Sequence, residues 1–220
     1  TTLNIRLKSP TTKEKGKLYP LVVMLHGAGG RGSDNLRQLT DAGMLNNLKK
    51  TKGFEDSYVL AGQVPQGQRW VDIHWGTLDH RMPAVTPSMK LLIERIDQIL
   101  ADKNQQIDPK RVYAMGLSMG GYGTWDLIQR RPELFAAAVP ICGGGDKEMA
   151  KSIASIPIWA WHGDKDRVIK PSRSKDMVEA VKKAGGNAKY TEVKGQGHGV
   201  WNDCYNSPEL WQWMFEQKKL

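Results

Sequence analysis

The chain of 220 residues is 40% hydrophobic and 25% charged, a balance that predicts a soluble globular protein. Its net charge of +9 comes from scattered basic residues that accompany no RNA- or DNA-binding motif, so we expect no nucleic-acid partner. No apolar run reaches the roughly 18 residues of a membrane span, and we expect no membrane partner either.

Strand-like and helix-like segments alternate along the chain, and this order predicts a largely parallel α/β sheet. In chain order the predicted strands are Leu3–Leu7 at the edge and the apolar runs Leu21–Leu25, Tyr58–Val64, Val112–Leu117, Ala136–Ile141, Ile156–Trp161 and Tyr190–Val193. Helical spacing of apolar residues predicts helices at Pro87–Leu100, Gly120–Gln129, Pro171–Ala184 and Pro208–Phe215. Because no linker-like stretch divides the chain, we interpret residues 1–220 as one domain.

The segment from Pro65 to Pro87 interrupts this alternation, because it is long, polar and rich in aromatic residues. Long loops in compact domains are often binding loops. The segment also follows a predicted strand, at the edge where open α/β sheets bind their ligands. We therefore predict that Trp70 and Trp75 contact the substrate, with packing in the core as the alternative for each ring.

A nucleophile motif lies at Gly116-Leu117-Ser118-Met119-Gly120, which matches the pattern G-x-S-x-G. A predicted strand precedes the motif and a predicted helix follows it, which is the context that the motif requires. The flanking glycines are expected because a sharp strand-to-helix turn leaves no room for a Cβ atom. The sequence thus predicts Ser118 as the nucleophile, and a serine in a glycine-rich turn is the alternative.

A glycine-rich turn, His26-Gly27-Ala28-Gly29-Gly30, follows the predicted strand Leu21–Leu25. It lacks the G-K-[ST] ending of a P-loop and the G-x-G-x-x-G spacing of a dinucleotide site. A serine hydrolase needs two N–H donors for its oxyanion. We predict the N–H of Met119 as one donor and that of Ala28 as the other. Gly27 and Gly29 remain alternatives to Ala28, as does a turn with no catalytic role.

A serine nucleophile needs a histidine base and a carboxylate that holds the base, and in this type of fold they follow the serine in the order acid, then base. His198 lies in a glycine-rich loop after the last predicted strand and is the predicted base. Asp166 follows the strand Ile156–Trp161 and is the predicted acid, with Asp164 and Asp146 as alternatives. The other histidines are His26 and His162, for which we predict turn roles, and His74 and His80, which precede the serine.

The two cysteines, Cys142 and Cys204, form neither a disulfide framework nor a zinc cluster. We expect free thiols, with a single disulfide between them as the alternative. Neither H-E-x-x-H nor C-x-x-C spacing occurs, so we expect no metal.

Four motifs together resemble one branch of the α/β-hydrolases: the small esterases related to feruloyl and acetylxylan esterases, described as phospholipase/carboxylesterase-like or "predicted peptidase" proteins. They are His26-Gly27-Ala28-Gly29-Gly30, the run Gly116–Trp125, His162-Gly163-x-x-Asp166 and Gly197-His198-x-x-Trp201. The resemblance covers the chain from about Leu18 onward. It implies a mostly parallel central sheet with helices on both faces in three layers, a triad of Ser118, Asp166 and His198, and no metal or cofactor.

The chain has no insertion of the size of a lipase lid. An open cleft in which Trp70, Trp75 and Trp201 are the predicted substrate-binding residues suits a sugar or phenolic ester. The leading hypothesis is removal of acetyl or feruloyl groups from plant polysaccharides or oligosaccharides. The alternatives are a general short-chain carboxylesterase or thioesterase, a serine peptidase and a non-catalytic carbohydrate-binding protein. The positive charge favours solubility, or else attraction to an acidic partner or polysaccharide. The start at Thr1-Thr2 indicates processing or trimming, and we expect a secreted or periplasmic protein.

Overall fold

One twisted sheet forms the centre of the fold in a computed structural model that describes residues 2–43, 51 and 53–219. Its strands in the described part of the chain are β1 (Asn4–Lys8), β2 (Tyr19–Leu25), β3 (Tyr58–Gln63), β4 (Ile107–Leu117), β5 (Ala137–Ile141), β6 (Ile158–Gly163) and β7 (Ala188–Val193). Their order across the sheet is β1-β3-β2-β4-β5-β6-β7. The edge strand β1 is antiparallel to β3, and every other neighbouring pair is parallel.

Helices connect the parallel strands. The described α-helices are α1 (Arg37–Thr40), α2 (Pro87–Ala101), α3 (Met119–Arg130), α4 (Ser172–Lys183), α5 (Trp201–Tyr205) and α6 (Pro208–Glu216). Short 3-10 segments occur at Ala28–Gly30, Asp41–Gly43, Pro132–Leu134 and Lys147–Ile153. The longest helix begins where its residues dictate: the hydroxyl of Thr86 accepts a hydrogen bond from the Met89 N–H at 3.2 Å, and Pro87 occupies the first turn.

Both faces of the sheet are buried, which produces the three layers. Along β2, Leu21, Val23 and Leu25 pack into one core, together with apolar residues of α2, α3 and α4. Val22 and Met24 point to the opposite face and pack against residues of α5 and α6. This alternation is the two-residue period of a strand, and it explains why the strand reads as one continuous apolar run.

The structure contains all seven predicted strands and all four predicted helices, with shifted bounds. The largest shift is in β4, which begins at Ile107 and not at Val112. Asp108, Lys110 and Arg111 are polar, and their hydrogen bonds to one another keep this stretch at the surface. The short elements α1 and α5 were not predicted from the sequence.

The carboxyl ends of the parallel strands meet along one edge of the sheet. The glycine turn follows β2, Ser118 follows β4, and the segments bearing Asp166 and His198 follow β6 and β7. Residues far apart in the sequence are therefore brought to one place, at the edge where ligands bind in open α/β sheets.

Candidate active site

Ser118 lies at a sharp turn between β4 and α3, with φ 55° and ψ −117°. This left-handed conformation is costly for a residue with a Cβ atom and is often found at active sites. A hydrogen bond of 2.8 Å from the Ser118 N–H to the Ile141 carbonyl holds the turn against β5. The flanking glycines are required by close packing: a Cβ on Gly116 would lie 2.5 Å from the carbonyl oxygen of Gly120.

We expect Gly120→Ala to destabilise the fold strongly, because its Cβ would lie 1.9 Å from the Leu25 carbonyl oxygen. A backbone carbonyl cannot move aside without distorting its strand, so we expect the free energy of unfolding to fall by about 3 kcal/mol or more. Thermal denaturation of the two proteins measures this loss. Gly197→Ala is the matched control, because no atom of the described residues, its chain neighbours apart, lies within 4 Å of its added Cβ. An unchanged melting temperature in Gly120→Ala would contradict the close packing of this turn.

The three side chains predicted as a triad form one chain of hydrogen bonds. His198 Nε2 lies 2.8 Å from Ser118 Oγ, and His198 Nδ1 lies 2.7 Å from Asp166 Oδ2. A carboxylate only accepts hydrogen bonds, so Nδ1 carries the proton and Nε2 is free to accept the serine proton. This is the arrangement in which a histidine can act as a general base toward a serine.

Asp166 is held as a carboxylate by four N–H groups. Oδ1 accepts from the backbone N–H of Val168 at 2.8 Å and of Ile169 at 3.0 Å, while Oδ2 accepts from His198 and, at 3.1 Å, from His162. Burial alone would raise the pKa of Asp166, but the hydrogen bonds from His162, His198 and Ile169 outweigh burial and hold that pKa well below its usual range. The residue therefore stays ionised at any working pH.

The other two candidate acids lie elsewhere in the structure. Asp164 Oδ1 accepts the backbone N–H of Gly195 at 2.7 Å, which shapes the turn. Asp146 caps a 3-10 segment and accepts the Met82 N–H at 2.9 Å. In the part of the chain that the structure describes, Asp166 is the carboxylate bonded to His198.

His162 has a role that the sequence analysis missed, since a turn role was predicted. It is fully buried, and its Nε2 lies 3.1 Å from Asp166 Oδ2 and 3.0 Å from the Ile169 carbonyl. Its Nδ1 lies 2.8 Å from the hydroxyl of Ser174. His162 thus steadies the same carboxylate oxygen, Oδ2, that accepts the hydrogen bond from His198. The spacing H-G-x-x-D was the available signal, because it places this histidine at the strand end just before the acid.

The side chains of His26 and Arg31 hold the glycine turn in place by hydrogen bonds to its carbonyl groups. His26 Nε2 accepts the Val64 N–H at 3.0 Å, so its Nδ1 carries a proton and donates it to the Gly27 carbonyl at 2.6 Å. Burial lowers the pKa of His26 to about 4, which keeps the ring neutral. Arg31 Nε donates to the Ala28 carbonyl at 2.9 Å.

The two predicted oxyanion donors each begin a helical segment. Ala28 is the first residue of the 3-10 segment Ala28–Gly30, and Met119 is the first residue of α3. N–H groups at such positions have no acceptor within their own helix and are available to an anion. Ala28 also lines the same cleft as Ser118. The geometry is therefore compatible with the predicted oxyanion hole.

A cleft of about 380 Å³ surrounds the serine and the histidine. Its lining includes Ala28, Asp41, Trp75, Val168 and Trp201. A larger cavity of about 700 Å³ lies by the amino end of β2, between that strand and α6, and includes neither Ser118 nor His198. The catalytic-type residues therefore single out the smaller cleft.

Two of the three tryptophans predicted to bind substrate lie at this cleft. The Trp201 ring stands perpendicular to the His198 ring, with centroids 5.4 Å apart. Trp75 lines the cleft too, and its carbonyl accepts a hydrogen bond of 3.2 Å from the Tyr122 hydroxyl.

The prediction for Trp70 was wrong. Its side chain has 0% exposure and belongs to the main core. The indole Nε1 donates to the His26 carbonyl at 3.1 Å, and the two rings lie 5.3 Å apart. Trp70 therefore supports the glycine turn from within the core and cannot contact a ligand.

A buried arginine anchors the aromatic loop that carries Trp75, and no sequence signal marked it. Arg173 is 1% exposed, and its Nη1 donates to the Leu78 carbonyl at 2.8 Å. Its Nη2 donates to His80 Nδ1 at 2.5 Å. Burial and the charge of Arg173 lower the pKa of His80 to about 4, which keeps that ring a neutral acceptor. The loop is therefore fastened to α4.

Cys142, His162 and Asp166 have ligand atoms within 4.8 Å of one another, the one such group among the residues described. The carboxylate oxygens already accept four N–H groups. Burial raises the pKa of the Cys142 thiol well above its usual value, so the thiolate that a metal prefers is disfavoured. The group is better explained by the support of Asp166. Cys142 and Cys204 are both free, as expected from the sequence, and both are buried.

Comparison with known proteins identifies relatives of this arrangement. Residues 63–209, more than half of the chain, match the model of the dienelactone hydrolase family. The crystal structure of a thermostable esterase has a TM-score of 0.88 to this chain at 36% sequence identity, and the match covers 99% of this chain and 60% of that one.

Two curated relatives match smaller parts of this chain. An uncharacterized secreted protein of Arthroderma benhamiae is 24% identical over 234 residues, which cover 87% of this chain and 23% of the relative. A bifunctional acetylxylan esterase/xylanase of Neocallimastix patriciarum is 36% identical over 74 residues, or 34% of this chain and 11% of that protein. The chain thus spans less than two thirds of each of these proteins.

These similarities confirm the predicted α/β-hydrolase fold and the predicted resemblance to esterases. None of the helices in the described residues is both long enough and apolar enough to cross a membrane.

Proposed function

Because the chain belongs to the dienelactone hydrolase family and is a hydrolase of the esterase type, we propose that it removes acetyl or feruloyl groups from plant polysaccharides or oligosaccharides. The observation that carries the proposal is the hydrogen-bonded chain from Ser118 through His198 to Asp166, which opens onto a cleft with aromatic walls. No cofactor takes part in the proposed reaction.

In the first half of the reaction, Ser118 Oγ attacks the carbonyl carbon of the ester while His198 Nε2 takes the serine proton. Asp166 stabilises the imidazolium that forms. The N–H groups of Ala28 and Met119 bind the oxyanion of the tetrahedral intermediate. His198 then gives its proton to the leaving alcohol, and the acyl group remains on the serine.

In the second half, a water molecule enters the cleft and His198 takes its proton. The resulting hydroxide attacks the acyl-serine, and a second tetrahedral intermediate forms at the same oxyanion donors. Its collapse releases the carboxylic acid and returns the proton to Ser118. The same base therefore serves both steps.

The substrate class rests on the walls of the cleft and on one relative. Trp75 and Trp201 present aromatic surface beside the reacting serine, and such surface stacks on sugar rings and phenolic rings. The Neocallimastix patriciarum relative is an acetylxylan esterase/xylanase, which supports a polysaccharide substrate. The Arthroderma benhamiae relative is a secreted protein, which supports the proposal that this chain acts outside the cytoplasm.

We expect acetylated xylan or methyl ferulate to be hydrolysed well, and p-nitrophenyl octanoate poorly. Initial rates on these three esters and on p-nitrophenyl acetate, at one enzyme concentration, measure the preference. Activity confined to the p-nitrophenyl esters would contradict the polysaccharide assignment and leave a general short-chain carboxylesterase. A protein that a fluorophosphonate probe does not label would be a non-catalytic binder.

A further inference from the structure

An acidic side chain lies against the glycine turn, and the mechanism above does not use it. Asp41 begins the 3-10 segment that follows α1, and it lines the cleft beside Ser118. A Cβ on Gly29 would lie 2.6 Å from Asp41 Oδ1, and a Cβ on Gly27 would lie 2.9 Å from Oδ2. The carboxyl group therefore packs directly onto the turn that carries the proposed oxyanion donor.

No cationic side chain among the residues that the structure describes forms an ion pair with the carboxyl group of Asp41. Partial burial raises the pKa of Asp41, against the effect of the N–H groups of Gly27, Gly30 and Ala42. The whole chain has a net charge of +9, but the side chain of Asp41 in the cleft beside Ser118 is acidic.

We propose that Asp41 is a specificity-determining residue that restricts the cleft to esters without negative charge near the scissile bond. The inference rests on the proposed function, because it takes this cleft as the site of ester hydrolysis. It narrows the substrate class to uncharged esters, such as acylated neutral sugars. Esters of acidic sugars bearing a free carboxylate at the cleft are excluded.

Two matched pairs of synthetic esters test the charge preference on either side of the scissile bond. The acyl pair is p-nitrophenyl valerate and mono-p-nitrophenyl glutarate, which have acyl chains of equal length. The alcohol pair is methyl para-acetoxybenzoate and para-acetoxybenzoate. For each pair, the ratio of kcat/KM for the neutral ester to kcat/KM for the anionic ester is measured.

We expect the wild type to prefer the neutral ester in at least one pair, and Asp41→Asn to reduce that ratio by about ten-fold, because one like-charge repulsion at short range is removed. Asp41→Ser is a second neutral variant, in case the first folds poorly. Asp56→Asn is the matched control, since it removes the same charge from an exposed position outside the cleft.

An unchanged ratio in both Asp41 variants would overturn the proposal, and so would an equal reduction in Asp56→Asn. The outcome is separable from that of the proposed function. If acetylated xylan and methyl ferulate resist hydrolysis, the polysaccharide assignment fails, while the ratios for the synthetic esters still decide the role of Asp41.

Discussion

Replacing Ser118 with alanine is expected to lower kcat on every ester that the protein hydrolyses by about 10⁴-fold or more. Without Oγ no acyl-enzyme can form, and His198 Nε2 loses its hydrogen-bond partner, the serine hydroxyl at 2.8 Å. The proposed oxyanion donors and the cleft remain, so the variant should retain a slow reaction with water and bind substrate with similar affinity.

Initial rates on p-nitrophenyl acetate measure this loss, and a fluorophosphonate probe should label the wild type but not the variant. Ser155→Ala is the matched control, because Ser155 is exposed and lies outside the cleft. Circular dichroism of both variants shows whether the fold is kept. If Ser118→Ala hydrolysed esters at the wild-type rate, the assignment of the nucleophile would be wrong, and the proposed mechanism with it.

The strands were predictable where burial and strand pairing coincide. Val22 and Met24 face one core and their neighbours in β2 face the other, so the whole strand is apolar and its pattern is plain. The first half of β4 escaped prediction because Asp108 and Lys110 are polar, although Ile107 pairs with Tyr19 of β2. A hydropathy pattern reports burial. It therefore does not reveal strand pairing where the beginning of a strand is exposed to solvent.

The side chains at the cleft were predictable where a motif fixes them to a strand end. Ser118 follows β4 directly and Asp166 lies three residues after the end of β6, so the parallel arrangement brings them to the same edge of the sheet. Trp70 and Trp75 lie in a loop without periodicity, where spacing does not tell which ring turns inward. Burial of Trp70 beneath the glycine turn and exposure of Trp75 to the cleft are set by tertiary contacts alone.

Asp41 shows the limit of motif analysis most clearly. It belongs to no motif, and its neighbours in sequence have no strong pattern. Its contact with Gly27 and Gly29 depends on how the chain returns from α1 toward the end of β2. Only the folded structure places this charge in the cleft.

Asp166→Asn is expected to reduce kcat by about 10⁴-fold, because each position of the carboxylate already receives N–H donors. An amide NH₂ placed toward His198 and His162 would face two donors, and placed the other way it would face the backbone N–H groups of Val168 and Ile169. Either orientation favours the wrong tautomer of His198 or breaks the turn.

The matched control is Asp164→Asn, two residues away, whose carboxylate accepts only the Gly195 N–H among the described side-chain contacts. We expect it to keep kcat within a few-fold. The pH dependence of kcat/KM adds an independent test: since the pKa of Asp166 is held well below its usual range, lowering the pH through the ordinary range of a carboxyl group should cause no loss of activity through protonation of Asp166. In Asp166→Asn the residual rate should instead rise with hydroxide concentration, because the base is no longer oriented toward Ser118. If Asp164→Asn lost all activity while Asp166→Asn kept the wild-type kcat, Asp164 and not Asp166 would be the acid. The four N–H groups around Asp166 would then have no catalytic role.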